Sequence, residues 1–285
     1  MAPLFDVPTI NRLHMLSRRP GLVAGAAITG MLGCIALLSL VWTPAPPARM
    51  QIIHKLQPPL SYGLLGTDQF GRDMLSMLMV GCWNSLSVSL AAVAIGGTTG
   101  TILGLAAAAR RGLFEGLLMR ACDVIFSVPP ILSAMVLGAF LGAGRLTAIA
   151  AIATFMIPVF ARVSLASALQ AWSREYVTAA RGIGDSQFTI SVRHVLPNVA
   201  SPLIVQATIQ LGLAILTEAG LSFLGLGLAP PAPTWGRMLA ESQTYLSLAP
   251  WLAILPGLAI AISVLGFNLL GDGLRDLLDP REVRR

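Results

Sequence analysis

Few side chains in this sequence are equipped for chemistry, and their spacing limits what they can do. The chain has 285 residues but only 13 Asp+Glu, 19 Lys+Arg and 3 His. Glu218 stands out because its surroundings, ILTEAGLSFLG, are otherwise uncharged. A carboxylate in such a run must face protein or a water-filled cavity, as a substrate contact or as a structural polar group. Arg120 and Asp123 share one helix face at i, i+3, which predicts a structural ion pair. Asp68, Arg72 and Asp73 form a second polar group, with Thr67 or Asp68 placed to cap a helix starting near Gln69. Asn268 and Asp272 stand at i, i+4 near the end of the last apolar run. His194 is isolated and better suited to a hydrogen bond than to a metal. Cys34, Cys82 and Cys122 sit singly in apolar settings, without a CxxC or Cys/His pair, and read as small packing residues. No catalytic constellation of Ser/His, paired Asp or HExxH type is present, and no metal site is expected. The phosphate-cradling GxxxxGK[ST] loop is also missing from the sequence.

These residues are carried by a chain that water cannot solvate. It is 55% hydrophobic and 11% charged, with a mean hydropathy of +0.76. Soluble domains carry about a quarter charged residues. The composition therefore excludes a soluble enzyme and a disordered chain. The formal charge is +6, but Lys55 is the only lysine and the arginines are scattered, so no nucleic-acid partner is expected.

A helix needs about 20 apolar residues to cross a bilayer. Six stretches qualify, best placed at residues 21–42, 86–109, 123–145, 146–160, 202–227 and 251–270. The first is too long for a signal-peptide core and reads as a retained anchor. Six spans put both termini on one side. With the termini in the cytoplasm, only Arg49, Lys55, Arg72, Arg145 and Arg237 fall outside. That arginine bias predicts cytoplasmic termini. Stretches such as GGTTGTILGLAAAA supply the small residues that let helices pack closely in lipid. Pro129, Pro130, Pro158, Pro202 and Pro256 predict kinks or helix ends.

Two loops exceed simple connections. Residues 43–85 form an outer loop with an interfacial helix, in which Asp73 lies near Phe70 and Met77. Residues 164–201 form an inner loop. There Tyr176, Val177, Ala180 and Ile183 follow helical spacing, Gly184 ends that helix, and Asp185 or Ser186 caps a second. Phe188, Val192 and Val195 mark the apolar side of the second helix, and Pro197 stops it. The pattern is a helix–turn–helix on the membrane surface, or a docking element for a soluble partner.

The inner loop resembles the EAA loop of ABC importer permeases. Thr178-Ala179-Ala180 takes the place of Glu-Ala-Ala, Gly184 follows after three residues, and His194, Leu196 and Pro197 close the pattern. Thr178 departs from the usual Glu and His194 from the usual Ile. The stretch RHVLPN is similar to the dipeptide/oligopeptide/nickel branch of the family. LGTDQFGRD, MRACDVIFSVPP, EAGLSFLGLGL, APTWGRML and FNLLGDGLRDLLDPR also resemble that branch's second permease subunit.

The resemblance implies an all-α polytopic membrane protein with six transmembrane helices, a MetI-like importer-permease core and cytoplasmic coupling helices. Its parts are a cytoplasmic tail 1–20, a first span 21–42, the outer loop 43–85, a five-helix core 86–272 and a cytoplasmic tail 273–285. It further implies a heteromeric complex in a bacterial inner membrane. The partners are a second homologous permease, two cytoplasmic ABC ATPases and an extracytoplasmic solute-binding protein. ATP and Mg²⁺ belong to the ATPases, and this chain binds no cofactor of its own. Glu175, Thr178, Ala179, Ala180, Gly184, Asp185, His194, Leu196 and Pro197 are the ATPase-coupling residues on this reading. The solute is a di- or oligopeptide, or alternatively nickel or a metal chelate. A stand-alone secondary transporter is the reading from a different class; it would need coupling-ion groups near the midplane, for which Glu218 alone is thin support.

Overall fold

A computed structural model describes residues 20–278. The tails 1–19 and 279–285, with Arg12, Arg18, Arg19, Arg281, Arg284 and Arg285, lie outside the described residues. The described chain is helical, and an isolated bridge between Thr67 and Asp73 is its one β pairing. The helices are α1 (Pro20–Leu38), α2 (Met74–Arg110), α3 (Leu113–Ser127), α4 (Pro130–Leu141), α5 (Arg145–Trp172), α6 (Glu175–Gly182), α7 (Gln187–Ile190), α8 (Leu196–Phe223), α9 (Trp235–Ser242) and α10 (Trp251–Leu278). A π-helical turn, Ser191–Val195, joins α7 to α8.

Among the described residues, five helical runs are long and apolar enough to cross a membrane. The α3–α4 pair meets the same measure when its two helices, bent by 84°, are counted together. The bend falls at Val128-Pro129-Pro130, where two successive residues without N–H interrupt the helical ladder. The expected third span, 123–145, falls on this bent pair and not on one straight helix.

The seam between α2 and α5 organises the bundle. Gly96, Gly100 and Gly104 recur every fourth residue on one face of α2. A Cβ built on them would lie 2.6, 2.3 and 2.4 Å from the carbonyl oxygens of Ala153, Ile157 and Ala161. The two backbones therefore touch, and dispersion along this groove replaces the hydrophobic drive that lipid does not supply. α1 packs on α10 by the same device, with Gly25 against the backbone of Leu270 and Gly273 against Leu22.

Three apolar layers stack along the bundle. Leu32, Met74, Met77, Trp235 and Leu252 fill one end. Val88, Ile152, Met156, Phe160 and Leu221 fill the middle. Ala107, Leu165, Trp172, Val177, Ile190 and Val195 fill the other end.

The outer loop departs from expectation. No helix begins at Gln69. Residues 67–73 turn tightly instead, and Asp73 caps α2 by accepting from the Ser76 N–H at 2.8 Å and from its hydroxyl at 2.7 Å. Asp68 spends its carboxylate on its own turn, accepting from the N–H groups of Phe70 and Arg72, and so is not free to cap a helix. The long helix begins at Met74, twelve residues before the expected span 86–109. Pro197 also does not stop its helix. The π turn shifts the ladder just before it, and Asn198 Nδ2 donates to the His194 carbonyl at 2.6 Å, so α8 runs on to Phe223.

Candidate functional site: the hairpin and the polar residues of the bundle

The α6–α7 hairpin closes the end of the bundle formed by α2, α5 and α8. Its first helix turns at Gly184, whose φ of +93° lies in the left-handed region that glycine alone enters freely. The Gly184 N–H donates to Arg181 O at 3.0 Å and the Asp185 N–H to Ala180 O at 3.1 Å. Ser186 then caps α7, accepting from the Thr189 N–H at 3.1 Å.

The expected coupling residues separate into two groups. Ala180 is buried with Val177 against the Trp172–Ile190–Val195 layer, and Leu196 and His194 are half-buried. Glu175, Thr178, Ala179, Gly184 and Pro197 are exposed. Asp185 and His194 meet across the turn, with Oδ2 and Nε2 3.8 Å apart, and the Tyr176 ring lies 6.4 Å from the imidazole. The apolar pattern does not all face inward. Ile183 is 83% exposed and Phe188 78% exposed, whereas Val177 and Val195 are sealed. Helical spacing marks an apolar stripe; here the turn at Gly184 carries its two ends away from the core. Beside Phe188, a groove of about 430 Å³ runs between α2 and the π turn, lined by Ile102, Leu105, Arg110, Val192 and Leu196.

Glu218 lies in the bundle interior, fully buried. Ser222 donates to its Oε1 at 2.6 Å, from one helical turn away. Among the described residues its Oε2 has no hydrogen-bond partner, and neither has the buried Ser85 hydroxyl of α2. Behind it, Gly236 of α9 would press a Cβ to 2.0 Å from the Ala219 carbonyl, so α9 is clamped onto α8 at this level.

Asp123 does not pair with Arg120. Its partner is Arg162 of α5, which also lies over the Phe126 ring at 4.6 Å. α3 packs along α5, and a charge arriving from a neighbouring helix, with an aromatic face beside it, outcompetes an exposed i, i+3 neighbour. Arg120 is exposed. At the opposite end from the hairpin, Arg72 bridges Asp68 at 2.5 Å and Glu241 at 3.1 Å, and Arg237 holds the other Glu241 oxygen at 2.8 Å. The sequence pointed to the Asp68–Arg72 pairing but not to Glu241, which is remote in the chain. Among the described residues no three His, Cys, Asp or Glu side chains converge as metal ligands.

Residues 100–284 match the family described as binding-protein-dependent transport system inner membrane component. The chain belongs to this family. It is an ABC importer permease subunit. The glutathione transport system permease protein GsiD of Pectobacterium atrosepticum is 44% identical over 223 residues, 78% of this chain and 74% of that protein. GsiD of Escherichia coli O6:K15:H31 is 46% identical over 216 residues, 76% of this chain and 71% of that protein. The permease fold is shared with a solved structure of inward-facing MetNI methionine ABC transporter, at a TM-score of 0.61 and 19% identity. That alignment covers 72% of this permease and 98% of the MetNI chain. A second MetNI crystal form aligns at a TM-score of 0.57 and 17% identity.

Proposed function

We propose that this permease forms half of a translocation pathway for glutathione or similar small peptides. A second, homologous permease forms the other half. Two cytoplasmic ATPases dock on the α6–α7 hairpin, and a solute-binding protein delivers the peptide at the opposite end. Both termini lie in the cytoplasm, in line with the arginine bias between the two sides. ATP and Mg²⁺ act on the ATPases, and this chain's part is mechanical. The named activity of the GsiD relatives supports a peptide as the solute.

The observation that carries the coupling role is the pair Ile183 and Phe188. Two large apolar side chains stand exposed on a hairpin whose own core, Val177, Ala180 and Ile190, is buried without them. Such a helical element, apolar at its tip, fits a groove on a soluble partner. Because α6, α7 and the π turn are continuous with α5 and α8, a push on the hairpin is passed to helices that cross the membrane.

Affinity purification from native membranes in mild detergent tests this, with mass spectrometry of the co-purifying chains. A second permease and P-loop ATPases are the expected companions. A double Ile183→Glu, Phe188→Glu variant is expected to lose the ATPases and keep the second permease. Recovery of this chain alone, after gentle cross-linking, would overturn the reading.

A further inference from the structure

Among the described residues Arg145 has no carboxylate partner, and its level in the bundle is what makes that matter. Its neighbours fix that level. Cys82 Sγ lies 3.4 Å from the Leu32 carbonyl, which sets α1 and α2 level at that point. The helices run antiparallel, joined at one end where the Ala45 N–H donates to the Ser76 hydroxyl at 3.0 Å. The Arg145 guanidinium donates to the Ser87 hydroxyl, and Asn84 Oδ1 lies 3.5 Å away. From Leu38 down to Leu32, and from Cys82 on to Ser87, a rise of 1.5 Å per residue puts the guanidinium roughly 16 Å below the loop end of α1. α1 is 19 residues long and uncharged. On the gauge of α1, a hydrocarbon layer of about 28 Å, Arg145 falls near the middle, deeper than the expected stretches 86–109 and 146–160 place it.

Three further observations bear on what Arg145 does there. Arg72, Arg162 and Arg237 each pair with a carboxylate, but among the described residues none pairs with Arg145. Arg145 is also the first residue of α5, where the helix dipole disfavours a cation, so the helix gains nothing from it. Finally, it is exposed on this chain yet held in place, since Asn84 is itself anchored through Nδ2 to the Pro233 carbonyl at 2.8 Å. An exposed guanidinium at this depth cannot rest against lipid tails. It must face a water-filled path or a partner that meets its charge.

We propose that Arg145 lines the translocation pathway and receives a carboxylate of the transported peptide, Ser87 and Asn84 holding the guanidinium in position. This assignment rests on the peptide-importer reading above. Small peptides carry a terminal carboxylate, and a guanidinium fork matches that group with two parallel hydrogen bonds.

The test uses the intact complex in proteoliposomes, with dialanine and its C-terminal amide as probes. Initial uptake is measured for wild type, Arg145→Gln and Arg145→Lys, with the binding protein saturated by each peptide. The variant-to-wild-type ratio for each peptide then cancels its affinity for the binding protein. Arg145→Gln is expected to slow dialanine uptake by about tenfold or more, the loss of one charge-assisted hydrogen bond. Uptake of the amide should hold, and Arg145→Lys should recover part of the dialanine rate. Arg145→Cys, with the native cysteines replaced, should react with water-soluble methanethiosulfonate reagents and be protected by dialanine. Equal losses for acid and amide, no loss for either, or an unreactive Arg145→Cys would overturn the assignment. A wild-type complex that moves neither peptide overturns the peptide reading and the assignment with it, a result distinct from intact uptake with an unselective Arg145→Gln.

Discussion

Arg72 Nη2 lies 3.1 Å from Glu241 Oε2, across 169 residues of chain. The contact fastens the outer loop to α9, and Gly236 fastens α9 in turn to α8 beside Glu218. One short helix thus ties the outer loop to the most buried charge in the bundle. Removing Arg72 would leave Asp68 Oδ2, on a side chain only 4% exposed, without its cation, and would undo half of the Glu241 network, while Oδ1 keeps its two backbone donors. Arg72→Ala is expected to destabilise the protein by about 3–5 kcal/mol, as is usual when one partner of a buried pair is deleted. A fall in thermal unfolding temperature in detergent, with faster proteolysis within residues 43–66, would be the readout. An unchanged temperature would show that the network bears no load.

Gly184 should be sensitive for a different reason. Space around it is open, so a side chain meets no neighbour, but its φ of +93° remains strained for any L residue. Gly184→Ala is expected to cost about 1–2 kcal/mol locally. Gly184→Arg should additionally place a charge on the hairpin tip. Both variants should insert normally and retain less ATPase in pull-downs, Arg more so than Ala. Full ATPase retention and transport by Gly184→Arg would remove this turn from the coupling element.

Much of this architecture was legible because it is local. Gly184 announces its turn, Asp185 or Ser186 its cap, which falls to Ser186, and the apolar runs their helices. The stripe of small residues in GGTTGTILGLAAAA foretold a close helix contact, although not that α5 would supply the partner. Two of the failures share a cause, a partner remote in sequence. Asp123 found Arg162 on another helix, and Asp68 and Arg72 found Glu241. Asp73 and Pro197 are exceptions, since the capping of α2 and the π turn before α8 are local. The Asp73 cap was obscured because Thr67 and Asp68 offered competing caps with equally good side chains, and only the turn of residues 67–73 decides among them. Arg145 looks in the sequence like an ordinary outer-loop arginine, since its depth follows from the stagger of α1 against α2, which no spacing encodes.

The α2–α5 seam predicts where small substitutions will do most harm. A Cβ at residue 100 would lie 2.3 Å from the Ile157 carbonyl and 2.8 Å from Phe160 Cβ. Backbone cannot yield as a side-chain tip can, so Gly100→Ala should force the helices apart. A cost of about 1–3 kcal/mol is expected, as for overpacking in other tight interiors. Gly116, with nothing nearby, is the control, and Gly116→Ala should be silent in the same thermal unfolding assay. Equal shifts for both variants would mean that the seam is looser than its geometry states.

Glu218 separates a structural role from a transport role by comparison of two variants. Its carboxylate is sealed, bonded to Ser222, and opposite the Ser85 hydroxyl. Glu218→Gln keeps the shape and one hydrogen-bonding oxygen, so assembly and uptake should both stay close to wild type. Glu218→Ala leaves Ser222 and Ser85 facing a void and should cost about 2–4 kcal/mol in stability, combining lost packing with stranded polar groups. Uptake per assembled complex should then be unchanged, because fewer complexes form but each one works. Size-exclusion yield and uptake normalised to complex number measure the two quantities separately. A Glu218→Gln complex that assembles fully yet transports poorly would instead make the carboxylate itself part of the transport cycle, and Glu218 would have to become accessible in a conformation other than this one.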